Sequence, residues 1–300
     1  MGRPAAPAGR PPGGGALRIG VGLPTAIPGV GRELTLAWAR LAEERGFASL
    51  GTLDRVVYDC WDPLVALAAA AAVTERVRLA TTVLIGPLRS TALLAKQAAS
   101  LDLLSGGRLV LGLGLGARQE DYRAAEVDHR RRGRVLSEQL VRLRLLWEQG
   151  QPGPRPARPD GPRLLVGGLG GPAHARMARY ADGFVHNGGP PRAFAAAAAR
   201  ARAAWVDAGR PGRPELWGQA YWALGDAAEV ERGRDELRRY YAFAGGHAGR
   251  IAAGCLATPQ AVRDFVRAYE DEGCDQLLLF PTLPSVEQLE RLADALGGPG

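Results

Sequence analysis

The chain has 300 residues, of which 46% are hydrophobic, enough for one large barrel or two smaller domains. Its formal net charge is +7, carried almost wholly by arginines scattered among acids with no aromatic–basic pattern. This argues against nucleic acid and fits small anionic ligands such as phosphorylated cofactors. Cys60, Cys255 and Cys274 form no CxxC pair, which excludes a disulfide framework or structural zinc site and points to the reducing cytoplasm.

Residues 1–16 (MGRPAAPAGRPPGGGA) hold too little apolar surface to offset the entropy of ordering them, which predicts a disordered tail without a secretory signal. The longest apolar stretch, Leu64 to Val73, is too short to span a bilayer. A first strand covers Leu17 to Leu23, and a helix runs from Arg32 to Arg45, stopped by Gly46. The second strand, Phe47 to Leu53, ends at Asp54-Arg55. Asp62-Pro63 opens a helix to about Thr74, with Asp as N-cap and Pro at the first helical position. Arg78 to Leu84 is a third strand. Thr91 to Leu104 is an amphipathic helix, with Leu94, Ala98, Leu101 and Leu104 inward and Thr91 as N-cap. Ser105-Gly106-Gly107 stops it. The fourth strand, Leu109 to Leu113, is followed by Gly114 and Gly116. These glycines leave room for a flat or phosphorylated ligand near the backbone, or simply make a tight turn.

Residues 117–134 read as a charged loop whose basic run, Arg130 to Arg134, is the solvated start of the next helix or an anion grip. That helix spans Arg134 to Gln149, with Leu136, Leu140, Leu143 and Trp147 inward. After a Pro/Gly loop at 150–163 come a fifth strand (Leu164 to Val166), a glycine run, a helix (Pro172 to Tyr180) and a sixth strand (Gly183 to His186). Then follow a helix (Pro191 to Ala208), a seventh strand (Leu216 to Leu224) and another helix (Ala227 to Tyr241). Residues 242–257 are glycine-rich and ambiguous. A helix from Thr258-Pro259 to Glu272, an eighth strand (Gln276 to Phe280) and a closing helix (Ser285 to Leu296) complete the chain. Eight strands alternating with helices predict an α/β fold, one (β/α)8 TIM barrel over residues 17–297. A doubly wound open sheet is the alternative.

In such a barrel the site lies at the C-terminal ends of the strands. The residues there are Pro24, Asp54-Arg55, Thr82-Val83, Gly114-Leu115-Gly116, Gly167 to Pro172, His186-Asn187 and Pro281-Thr282. They lack the clustered histidines and carboxylates of a metal site but are rich in glycine and backbone amides. A site that supplies shape while a cofactor supplies the chemistry fits this set. Gly167, Gly168, Gly170 and Gly171 precede a helix start at Pro172, where free amides and the helix dipole suit a phosphate. His186 is the one histidine at a strand end, a candidate for facing the substrate or a satisfied polar residue. Cys60 and Trp61 are candidates for lining the pocket.

The run AKQAASLDLLSGGRLVLGLGLG (95–116), followed by Glu120 and Tyr122, resembles the central motif of the bacterial luciferase-like monooxygenase family. Residues 52–84 and 164–184 are similar to the same family, and the resemblance covers roughly residues 17 to 296. It implies reduced FMN as cofactor and oxygenation of a small organic substrate, with a homodimer and a separate flavin reductase as partners. A hydride transfer using the 5-deazaflavin coenzyme F420 is the second reading it implies. A cofactor-free, degenerate barrel acting as a binding protein is the third. The resemblance further implies that Gly167 to Pro172 contact the cofactor phosphate. It implies that Thr82-Val83 form a backbone bulge, sometimes with a non-proline cis peptide, beneath the flavin ring. Where family members often carry an acid followed by histidine, this chain has Asp54-Arg55. Arginine cannot donate a proton near neutral pH. Arg55 is then a contact for an anionic substrate or developing negative charge, or one half of a structural Asp54–Arg55 pair.

Overall fold

In a computed structural model, which describes residues 16–298, eight parallel strands pair in sequence order and the last closes on the first. They are β1 (Arg18–Gly22), β2 (Ser49–Thr52), β3 (Arg78–Ile85), β4 (Leu109–Gly114), β5 (Arg163–Gly167), β6 (Gly183–Val185), β7 (Glu215–Trp222) and β8 (Gln276–Pro281). Closure removes the open sheet as an alternative. The predicted tail falls almost wholly at residues 1–15, outside the described residues.

The helices lie between strands: α1 (Arg32–Glu44), α2 (Pro63–Ala71), α3 (Thr91–Leu104), α4 (Gln119–Ala124), α5 (Arg132–Gln149) and α6 (Gly171–Tyr180). After them come α7 (Pro191–Asp207), α8 (Ala227–Tyr240), α9 (His247–Ala253), α10 (Pro259–Asp271) and α11 (Val286–Leu296). Local chemistry sets several starts. The Asp62 carboxylate accepts the amides of Leu64 (2.9 Å) and Val65 (3.1 Å), with Pro63 at the first position. Thr258 caps α10 through the Ala261 amide, 3.1 Å away.

Three local expectations change. Thr91 is the first helical residue of α3, not its cap; Ser90 precedes it and makes no side-chain cap. Leu104 is exposed rather than inward; with Leu103 it lies on the solvent side of the last turn, whose Leu101 and Asp102 are the buried residues. Residues 117–134 are not wholly loop, since they contain α4 and a 3-10 turn at His129–Arg131, and α5 starts two residues early, at Arg132. The ambiguous glycine-rich stretch forms α9.

Strand alternation divides the core. Outward residues pack with the helices into one large cluster, including Leu50, Leu79, Leu111, Trp38 and Trp147. Inward residues Ala80, Val110, Leu165, Val185, Trp217, Leu278 and Phe280 fill the lumen. The lumen is lopsided by design of sequence: a Cβ on Gly22 would meet Phe280 at 2.1 Å, and one on Gly51 would meet Leu278 at 2.9 Å. Bare backbone on β1 and β2 thus makes space for the bulky side chains of β8.

Candidate active site

At the C-terminal mouth, β3 is irregular. The Thr82-Val83 peptide is cis, and the register against β4 shifts between Thr81 and Leu84. The bulge turns Val83 onto the lumenal cluster. The neighbouring glycines are shaped around that one side chain. A Cβ on Gly114 would lie 2.4 Å from Val83 Cγ2, and one on Gly167 2.8 Å from Val83 Cγ1. The fourth-strand glycines were expected to clear space for a ligand. At Gly114 the space is already taken by Val83, so the glycine acts on a ligand only through the position of Val83. Gly116 has a left-handed φ of 65°, and a Cβ there would press on Ile85 at 3.0 Å. The Leu115 carbonyl between them accepts the Tyr122 hydroxyl.

Asp54 and Arg55 do not pair with each other. The Asp54 carboxylate turns to the end of β3, accepting the Ile85 amide at 2.8 Å and Arg89 at 3.3 Å. Burial raises its pKa, with Arg89 opposing the shift. Asp54 thereby ties the β2 loop to the bulged strand. Arg55 turns to α4, where it bonds Glu120 and lies 3.5 Å from the buried Asp121 carboxylate. Asp121 also accepts the amides of Val56 (3.1 Å) and Val57 (2.7 Å). The Arg55 side chain is only 5% exposed and already faces two acids. The sequence left open an anionic-substrate contact; the geometry makes Arg55 the clasp between the β2 loop and α4.

A second clasp is aromatic. The Arg55 guanidinium stands 4.8 Å from the Tyr58 ring centre and 5.6 Å from that of Tyr240, at the end of α8. On the other side, Arg118 lies 4.8 Å from Tyr240 and 4.0 Å from Phe243, and donates to the Tyr240 carbonyl at 3.0 Å. Tyr240 also borders a small pocket, lined with it by Leu23, Leu53, Tyr221, Glu236 and Phe280 among others. Its walls are mostly apolar. Glu236 supplies the carboxylate, accepting the Tyr58 hydroxyl at 3.2 Å and pairing with Arg239 at 3.1 Å. Burial pushes the Tyr58 phenol up to about 12 and Tyr240 well above its usual range, so both remain protonated donors at neutral pH.

His186 lies elsewhere. Val185 before it belongs to the lumenal cluster, so His186 points to the helix side, edge-on to Phe194 of α7 at 5.9 Å. Burial, then Arg200 and His174, push its pKa down to about 4. It is 5% exposed and does not face the mouth. Trp61 is held by its indole N–H on the Val30 carbonyl, 2.9 Å away, and Cys60 by a contact to the Arg55 carbonyl.

The run from Gly167 to Pro172 leads into α6. Gly170 is its N-cap, and among the described residues the amides of Leu169, Gly170 and Gly171 have no acceptor. A Cβ on Gly171 would meet nothing within 4 Å, and one on Gly170 only Pro172 at 3.5 Å, so the loop is open to an approaching group. Two details narrow the expectation: Pro172 has no amide, and the Ala173 amide donates to the Gly170 carbonyl at 2.9 Å. The free donors are those of the loop and the first helical residue.

Residues 17–273 match the model of the luciferase-like monooxygenases. The chain belongs to this family. Over 139 residues it is 37% identical to an uncharacterised protein of Mycobacterium tuberculosis, covering 41% of this chain and 49% of that one. A second uncharacterised protein of the same species is 35% identical over 163 residues, covering 50% and 56%. The chain spans about half the length of these curated relatives. Solved structures share the fold. A monooxygenase from Streptomyces bottropensis superposes with a TM-score of 0.76 at 23% identity, over 93% of this chain and 98% of that one. An F420-dependent secondary alcohol dehydrogenase gives 0.80 at 16% identity, over 95% and 99%. A coenzyme F420-dependent tetrahydromethanopterin reductase from Methanopyrus kandleri gives 0.71 at 15%, over 95% and 98%.

The C-terminal mouth thus combines residues visible in sequence with others that were not. Asp54, Thr82, Val83, Gly114 and Gly167 do come together at the mouth. Arg118, Tyr240 and Glu236 carried no sequence signal, because they sit inside ordinary helical or charged stretches. Only Glu120 and Tyr122, which follow the 95–116 motif, carried a local signal.

Proposed function

We propose that this luciferase-like protein is an FMN-dependent monooxygenase acting on a small, largely apolar organic substrate. The observation that carries the reading is the pairing of a bulged apolar platform at Val83 with the free amides of Leu169, Gly170 and Gly171 at the α6 N-terminus. The residues fit the cofactor: glycine leaves the loop bare where a phosphate would approach, and the lumen beneath Val83 is filled by apolar side chains. Gly167, Gly168, Gly170, Gly171 and Pro172 would hold the phosphate. Thr82, Val83, Leu115 and Gly116 would form the surface on which the ring rests, with Gly114 leaving room for Val83 in it. Bound reduced flavin supplies the electrons that activate oxygen.

The chain's own part is shape and exclusion of water. Tyr240, packed by Tyr58 and Arg118, covers one side of the pocket, while Leu23, Leu53 and Phe280 give it an apolar wall. Glu236 and the Tyr58 hydroxyl are polar groups there that can orient a substrate. Asp54 acts by holding β3, and Arg55 by holding α4. A flavin reductase would deliver the reduced cofactor.

The same free amides suit coenzyme F420, which also carries a phosphate, and hydride transfer is the second reading. Anaerobic titration with reduced FMN and with reduced F420, in parallel, tests both. Tight binding of FMN followed by oxygen-dependent substrate turnover is expected. Binding of F420 alone would move the assignment to hydride transfer. Binding of neither would leave a cofactor-free binding barrel.

A further inference from the structure

The opposite end of the barrel carries an unbalanced charge. Four inward residues from alternate strands form its lowest layer: Arg18 of β1, Arg78 of β3, Arg163 of β5 and Glu215 of β7. All three guanidinium groups converge on one carboxylate. Arg18 meets Glu215 Oε1 at 2.8 Å and Arg78 meets it at 2.9 Å, while Arg163 meets Oε2 at 3.2 Å. Three positive charges against one negative leave a surplus of two. The nearby Arg213 adds nothing, because Asp275 holds it at 2.6 Å. Burial would raise the Glu215 carboxyl, but Arg78, Trp217 and Arg163 outweigh it and hold the pKa at about 2. The acid is therefore fully ionised and the surplus stands. Arg78 is itself pushed down, by burial and by the other two arginines against the pull of Glu215.

The layer above gives a second, independent sign. Gln276 of β8 pairs directly beside Arg18 and Trp217 in the sheet and faces the lumen, as Leu278 and Phe280 do two and four residues later. It is 0% exposed, yet neither its amide nitrogen nor its oxygen has a partner, and the buried Ser49 hydroxyl across the layer has none either. Leaving a buried amide unpartnered is costly, so something polar is expected to meet it. Arg78 is fixed in place by its guanidinium lying 5.0 Å from the Trp217 ring. Each guanidinium has five N–H donors, and the contacts to Glu215 use only one or two of them. Arg18 and Arg163 are each 45% exposed, so the layer opens to solvent.

The geometry points to a small-oxyanion site at the N-terminal mouth of the barrel. Arg18, Arg78 and Arg163 bind a doubly charged tetrahedral oxyanion such as phosphate or sulfate, Glu215 sets their geometry, and Gln276 supplies a donor from above. The site lies at the pole opposite the proposed cofactor loop and does not depend on that assignment.

The test is phosphate binding by the full-length protein, read by calorimetry and by melting temperature at constant ionic strength set with sodium chloride. A saturable rise in melting temperature with inorganic phosphate is expected, matched by sulfate and much smaller with acetate. Arg163→Gln should weaken phosphate binding at least ~10-fold, about 1.4 kcal/mol. In chloride alone that variant should melt at or above the wild-type temperature, because it relieves repulsion among the arginines. The α6 loop can itself take phosphate, so in Gly170→Asp the Arg163-dependent part of the signal should persist unchanged. Several results would overturn the site: no phosphate binding at millimolar concentration, wild-type affinity in Arg163→Gln, equal melting losses in phosphate and chloride, or loss of the Arg163-dependent part in Gly170→Asp. Acetate matching phosphate would overturn the assignment of a dianion.

Discussion

The contact between Gly114 and Val83 makes a sharp prediction, because one added carbon has nowhere to go. In Gly114→Ala the new Cβ would lie 2.4 Å from Val83 Cγ2. Carbon atoms in good contact sit about 3.5–4.0 Å apart, so more than an ångström of overlap must be relieved. Val83 has little freedom to relieve it. Its χ1 is stiff because it is β-branched, and its other methyl already faces Gly167 and Gly112. Overpacking of this kind costs about 1–3 kcal/mol. At roughly 2–4 °C per kcal/mol for chains slightly shorter than this one, melting should fall by about 2–12 °C. Val83→Ala removes both methyls, so adding Gly114→Ala to it should cost less than about 0.5 kcal/mol more. The double-mutant cycle should therefore show a coupling of about 0.5 kcal/mol or greater. Scanning fluorimetry of the four proteins measures it, and FMN titration of the same set should show at least ~10-fold weaker binding in Gly114→Ala, with recovery in the double mutant. If Gly114→Ala costs the same with or without the Val83 methyls, the glycine serves the turn and not the bulge, and the reasoning fails.

Other expectations follow from single side chains. Arg55→Ala leaves the buried Asp121 without its cation and should cost about 3 kcal/mol, with Arg55→Lys in between; unchanged melting with a raised KM would return Arg55 to the substrate. His186 has a folded-state pKa near 4 against 6.5 when free, so the unfolded chain takes up its proton first as pH falls. Stability from this group is complete above pH 6.5 and is lost progressively towards pH 4, and His186→Asn should flatten the dependence of the denaturation midpoint in that window; identical slopes would show that the ring is not buried as described. Gly170→Asp should fold, since its Cβ meets only Pro172 at 3.5 Å, and should weaken FMN binding at least ~100-fold, about 2.7 kcal/mol, with riboflavin less affected. Equal losses for FMN and riboflavin would point to steric blockage rather than charge.

Much of this molecule was written in local pattern. Strand and helix order, and hence the barrel, follow from short apolar runs alternating with helical periods, since parallel strands covered on both faces leave few polar positions. Caps such as Asp62 and Thr258 depend on neighbours two or three residues away, so they could be read directly. The glycine loop before α6 was legible for the same reason. What the sequence could not decide is which side chain meets which across the barrel. Asp54 and Arg55 are adjacent in the chain, yet one holds β3 and the other holds α4, because consecutive residues leave the backbone in different directions. Gly114 reads as empty space until Val83, 31 residues earlier, is seen to fill it. His186 reads as a mouth residue until strand alternation, anchored by Val185 in the lumen, turns it to the helices. The arginines of β1, β3 and β5 carry no shared motif at all. Only closure of the barrel brings them around Glu215, because that contact depends on strand register and stagger rather than on any local preference.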